Sequence, residues 1–209
     1  MEDVLEVYAR PRDPQRPLVC LDEFCKQLIG EARDVLPAQS GQPARQDYEY
    51  VRHGMCSVFL AYSPLESWRE VMVTGQRTAR DYAQTIRWLC DEVYPRADKI
   101  VLVQDNLNTH TPASLYEAFG PAEALRLKEK IEWHYTPKHG SWLNMAEIEI
   151  GVAQRQCLSG RIAQKAMVEQ ELSQWSKKRN AANATTNWQF TTADARVKLK
   201  RLYPSSTLE

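Results

Sequence analysis

The chain has 209 residues, 43% hydrophobic and 26% charged, ordinary for a globular protein and long enough for one α/β domain with a sizeable core. Basic and acidic residues both number 27, so no overall basic excess advertises a polyanion partner, although catalytic acids can offset local basic patches and leave a nucleic-acid enzyme open. The absence of a long apolar span or a signal-like start argues against a membrane protein, and five scattered cysteines (Cys20, Cys25, Cys56, Cys90, Cys157) without a CxxC pair argue against a zinc knuckle or disulfide framework.

The first 17 residues read as a tether, because Pro11, Pro14 and Pro17 fall within eight positions and exclude helix there. The sequence predicts a single domain over 18–204 and a short tail at 205–209. Residues 18–22 form an apolar strand ending in Asp22, and the Gln-, Pro-, Ala- and Arg-rich stretch 30–47 reads as a loop. Two extended segments, 55–62 and 68–74, are separated by Ser63-Pro64-Leu65-Glu66-Ser67 and suit an antiparallel hairpin. Thr78-Ala79-Arg80-Asp81 resembles a capping box with Asp in place of Glu. Behind it Ala79, Tyr82, Ala83, Ile86, Leu89, Cys90 and Val93 recur at helical spacing.

A strand over 99–104 follows, then helices over 112–119 and 121–130, a strand over 131–135, and helices over 142–157 and 164–179. This order implies a mixed sheet flanked by helices. Cys20, Cys56 and Cys90 belong in the core, as do Trp133, Trp142 and Trp175. Between 176 and 201, seven basic residues face only Asp194. That stretch is either a phosphate-contacting surface or an ordinary solvated one.

The chemistry concentrates in acids. Val101-Leu102-Val103-Gln104-Asp105 is an apolar run that carries a carboxylate to the tip of a buried strand. Asp22 ends a similar run, with Glu23 competing for its role, and Glu147 lies on the helix after His139-Gly140-Ser141-Trp142. Three carboxylates converging suit hard divalent cations such as Mg²⁺, which take oxygen ligands, and point to phosphodiester chemistry. Glu147 and Glu149, two apart on one helix, point in different directions, and the apolar periodicity does not choose between them. Asn144 is positioned to cap that helix, and Asn106 to hold a loop in the left-handed conformation. His110 reads as orienting phosphate or a carboxylate, or simply as a residue at a helix start. Lys138 and His139 read either as phosphate contacts or as an exposed basic turn.

The segments Asp105-Asn106-Leu107-Asn108-Thr109-His110 and His139 through Glu147, with Leu21-Asp22-Glu23, Tyr48-Glu49-Tyr50-Val51-Arg52 and Trp188-Gln189-Phe190-Thr191-Thr192, resemble the signatures of mariner-related bacterial insertion-sequence transposases. The similarity runs from about residue 2 to 204. It implies a ribonuclease H-like fold with a five-stranded mixed sheet. It further implies an Asp22, Asp105, Glu147 triad binding two Mg²⁺ ions, with Mn²⁺ able to substitute, and favours Glu147 over Glu149. Asn106, His110, Lys138, His139, Ser141 and Asn144 are then expected to touch DNA or to support the acids.

The resemblance also implies double-stranded DNA as partner: element ends and a target, typically at TA, bound as a dimer in the bacterial cytoplasm. Members of that family usually begin with helix-turn-helix modules, which this chain is expected to lack. A non-catalytic regulatory fragment that pairs with full-length transposase, or a stand-alone metal-dependent nuclease, are the alternative expectations.

Overall fold

A computed structural model describes residues 1–203. The expected tail at 205–209 lies outside the described residues. The chain begins with a helix, α1 (Glu2–Tyr8), whose Val4, Leu5 and Val7 are buried in the core. Residues 1–17 are therefore not simply a tether; only the proline-containing part beyond α1 runs without helix. The cause is local: Val4, Leu5 and Val7 supply an apolar face, and packing compensates for what a short helix lacks in intrinsic stability.

Five strands follow: β1 (Leu18–Glu31), β2 (Tyr50–Ser63), β3 (Trp68–Thr74), β4 (Ile100–Gln104) and β5 (Ile131–Tyr135). They form one mixed sheet in the order β3-β2-β1-β4-β5. β1–β2 and β2–β3 pair antiparallel, whereas β1–β4 and β4–β5 pair parallel. The first two strands are longer than predicted. They continue as a ribbon beyond the core, and the stretch read as a loop holds two further bridges, Leu36 to Arg45 and Gln39 to Gln42. Gly41, with φ of 77°, forms the tip, a backbone conformation that favours glycine.

Helices cover both faces. Strand alternation sorts the core: Leu18, Cys20, Val58, Leu60, Val101 and Val103 pack with α1 and with α5 (Met145–Gln156), α6 (Lys165–Ala181) and α7 (Thr192–Lys198). Val19, Leu21, Phe59, Ala61, Ile100 and Leu102 pack with α2 (Ala79–Trp88), α3 (Ala113–Ala118) and α4 (Pro121–Lys130). The capping box at α2 is present, with Thr78 and Asp81 bonding reciprocally, and the helix continues to Val93 through a wider π turn. Cys20, Cys56 and Cys90 are buried as free thiols. Among the described residues no helix is long and apolar enough to cross a membrane.

Candidate active site

The strand register places the first two acids. Cys20 pairs with Val103 across the parallel β1–β4 ladder, so continuing two residues along each chain brings Asp22 level with Asp105. Both follow the parity of residues facing α5, namely Cys20 and Val103. Glu23 follows Val19 and Leu21 toward the opposite face. Alternation along β1 thus separates Asp22 from Glu23, a signal present in the sequence that a reading by proximity alone overlooks.

The third acid is brought in by a helix junction. Asn144 caps α5 by accepting from the Ala146 amide at 3.1 Å, and its Nδ2 donates to Leu21 O at 2.9 Å and to Asp22 Oδ2 at 3.3 Å. One fully buried side chain therefore ties the start of α5 to β1 beside Asp22, and Glu147 stands in the first turn of that helix. The preceding turn is tight. Gly140 N bonds Pro137 O at 2.8 Å, and a Cβ at Gly140 would fall 2.6 Å from the Pro137 ring. The left-handed residue of this turn is His139, with φ of 62°. Asn106 does not adopt that conformation, contrary to expectation. α1 braces the same junction, since the Tyr8 hydroxyl donates to Leu143 O at 2.6 Å.

Asp22 is 7% exposed, and burial pushes its carboxyl up to about 7. The Glu23 amide bonded to Oδ1 at 2.8 Å acts against burial, while the charges of Asp105 and Glu147 add to it. The three acids thus share one electrostatic neighbourhood. They are not already gathered as ligands around a single point: among the described residues no three His, Cys, Asp or Glu side chains are set to hold a metal ion. In donor chemistry they still fit a hard divalent cation, being all oxygen ligands.

His110 is fully buried, and of the two readings the sequence left open it takes the one in which it orients a carboxylate. Its Nδ1 hydrogen-bonds Asp105 Oδ1, and its Nε2 faces Glu23 Oε2 at 3.6 Å. Burial alone would lower its basicity, but Asp105 and Glu23 outweigh burial and raise it to about 9, leaving the ring cationic at neutral pH. Asn144, equally buried, likewise supports Asp22 and offers no surface for DNA. Asn106, Lys138, His139 and Ser141 are exposed. Trp142, expected in the core, is 43% exposed and meets the Phe190 ring edge-on at 5.4 Å; Trp133 is only half-buried and Trp175 is buried.

Glu149 has a different occupation. It is completely buried, and it accepts from Arg69 Nε at 3.1 Å and from Arg179 Nη2 at 2.9 Å. Arg69, also without exposure, further bonds Asn180 Oδ1 and the Ser67 and Ala184 carbonyls. This network joins α5 to β3 and α6, and it spends the Glu149 carboxylate on structure. A buried arginine in β3 between Trp68 and Glu70 was the missed signal, since such a charge requires a buried acid.

The chain matches the model of the DDE superfamily endonucleases over residues 17–168. It belongs to that family. DDE superfamily endonucleases use divalent metal ions. Among solved structures, the chain is similar to the Mos1 mariner paired-end complex with Mn, at 18% identity and a TM-score of 0.52. That match covers 86% of this chain and 54% of the other, so the DDE domain described here spans about half the length of Mos1. It shows a shared ribonuclease H-like fold. The Mos1 paired-end complex with left transposon end also matches, at 16% identity, 87% and 60% coverage and a TM-score of 0.39. Among curated proteins none matches.

Proposed function

We propose that this DDE domain is the catalytic part of a transposase, cutting DNA strands and joining the freed 3′-hydroxyl to a target with Asp22, Asp105 and Glu147 as its acids. The observation that carries this reading is the Asn144 tie. It sets the helix bearing Glu147 against β1 at Asp22, two residues beyond the last β1–β4 pair as Asp105 is on the other chain segment. Support for DNA as the partner comes from the similar Mos1 mariner structure, which is a paired-end complex.

Two Mg²⁺ ions, for which Mn²⁺ can substitute, would be held by Asp22, Asp105 and Glu147, and when bound they supply an activated oxygen nucleophile and relieve charge on the leaving oxygen. The chain's own residues orient and hold. The Glu23 amide and Asn144 each engage one oxygen of Asp22, and His110 engages one oxygen of Asp105. No side chain is needed as general base. In the first reaction water attacks phosphorus and the bond to the 3′-oxygen breaks, giving a 3′-hydroxyl and a 5′-phosphate. In the second, that hydroxyl attacks a target phosphodiester, TA being the expected target, and a target 3′-hydroxyl leaves. Exposed Asn106, Lys138, His139 and Ser141 are placed here as DNA contacts, in a dimer that holds two element ends in the cytoplasm.

The test is an assay of supercoiled-plasmid nicking and of joining a 3′-hydroxyl oligonucleotide, in Mn²⁺, with wild type and Asp105→Asn. Nicking and joining by the wild type and neither by the variant is expected. Nicking without joining would favour a stand-alone nuclease, and equal activity in both would overturn the assignment.

A further inference from the structure

Glu23 neighbours Asp22 in the chain but lies on the other face of the sheet, and its carboxylate has an unusual setting. Its side chain is 4% exposed. Oε1 meets Arg77 Nη1 at 3.4 Å, at the rim of a cavity of about 340 Å³ lined by Glu23, Arg77 and residues 106–109. Oε2 is buried and makes no hydrogen bond among the described residues, and the same holds for His110 Nε2. These two atoms face each other at 3.6 Å across the gap between β1 and the loop after β4. On its other side the imidazole bonds Asp105 through Nδ1.

The ring has little freedom. Tyr82 stacks on it with centroids 4.7 Å apart and planes 23° from parallel. The Tyr82 hydroxyl donates to Gln104 Oε1 at 2.7 Å, and Gln104 Nε2 donates to the His110 carbonyl at 2.7 Å. Gln104 precedes Asp105 directly, so the loop is pinned to the end of the strand that delivers the acid. An imidazole held between two carboxylates fixes the orientation of the one that reaches the site, the arrangement by which outer residues orient metal-binding side chains.

We propose that Glu23, acting through His110, is a positioning residue for Asp105: it holds the imidazole from the far side, so that Asp105 keeps one oxygen on His110 and presents the other to the cation. This rests on the proposed function for the role of Asp105. Glu23 is then neither a spare acid nor a ligand, and its effect travels about one ring's width to reach the site.

The experiment compares wild type, Glu23→Gln, His110→Gln and His110→Leu in the full chain, by Mn²⁺ calorimetry and by NMR of the ¹⁵N-labelled imidazoles. Glu23→Gln is expected to weaken Mn²⁺ binding roughly 10- to 100-fold and to shift the His110 Nδ1 proton resonance, with its melting temperature near wild type. His110→Gln, which keeps an N–H toward Asp105, is expected to retain more affinity than His110→Leu. Unchanged affinity in Glu23→Gln, or an unmoved His110 resonance, would overturn the relay. If Glu23→Gln does not fold, Glu23→Asp, whose shorter side chain draws away from Nε2, gives the same two readouts. Absence of saturable Mn²⁺ binding in the wild type would instead overturn the proposed function, and the NMR comparison keeps that result separate.

Discussion

At the scale of single residues, Asp22 and Glu149 show how burial gives two carboxylates opposite roles. Asp22 is buried near two other acids and pushed up to about 7, so it stays neutral in the fold over a range where the unfolded chain ionises. Its contribution to stability is full below about pH 4, the ordinary carboxylate value, and is lost as pH rises through about 7. Asp22→Asn should therefore match wild type below pH 4 and be more stable by roughly 3–5 kcal/mol at pH 8 in the absence of metal, as read by urea unfolding against pH. A flat difference would contradict the assigned burial. Glu149 is matched by Arg69 and Arg179, so Glu149→Ala leaves buried cations unpaired and should cost about 3–5 kcal/mol. Glu147→Gln should cost little, and denaturant unfolding of the pair distinguishes a structural acid from a site acid. Periodicity could not choose between these two glutamates because both interrupt apolar stripes; only the partner arginines, distant in sequence, show that Glu149 is committed to structure.

At the scale of elements, the site depends on how α5 begins. Asn144 caps the helix, grips β1 and touches Asp22. Asn144→Ala should destabilise the fold by about 1–3 kcal/mol, combining a lost cap with an unsatisfied Leu21 carbonyl, and should lower the melting temperature while weakening Mn²⁺ affinity. Loss of neither would contradict its role as the tie. β3, β5 and the helix caps were legible because short-range rules govern them: alternation, Pro64 and Ser67 around the turn, and the reciprocal Thr78–Asp81 pattern. α1 was not legible, since it is only seven residues and forms by docking Val4, Leu5 and Val7 on distant elements. α7 carries a second Thr–Asp capping box at Thr191 and Asp194, a signal of the same kind as the first.

At the scale of the whole molecule, the fold brings the interior of β1 at Asp22, the end of β4 before Asp105 and the start of α5 to one region, while Tyr8 of α1 and the arginine network on Glu149 brace α5. The basic stretch between 176 and 201 is not uniform. Arg179 is committed to the buried Glu149, Arg196 and Lys198 are exposed but paired with Glu2 and Asp194, and Lys177, Lys178, Lys200 and Arg201 are also exposed. Net charge could not foretell this, because pairing depends on which chain segments meet. The fold class was readable from motifs and element order; the contacts that hold Asp22 and Asp105, through Asn144 and His110, depend on residues distant in the chain. The most direct test of the central claim is Mn²⁺ calorimetry on wild type, Asp105→Ala and Glu147→Gln. Saturable binding is expected in the wild type, lost in Asp105→Ala and weakened in Glu147→Gln. Identical binding in all three proteins would contradict a metal site built from these acids.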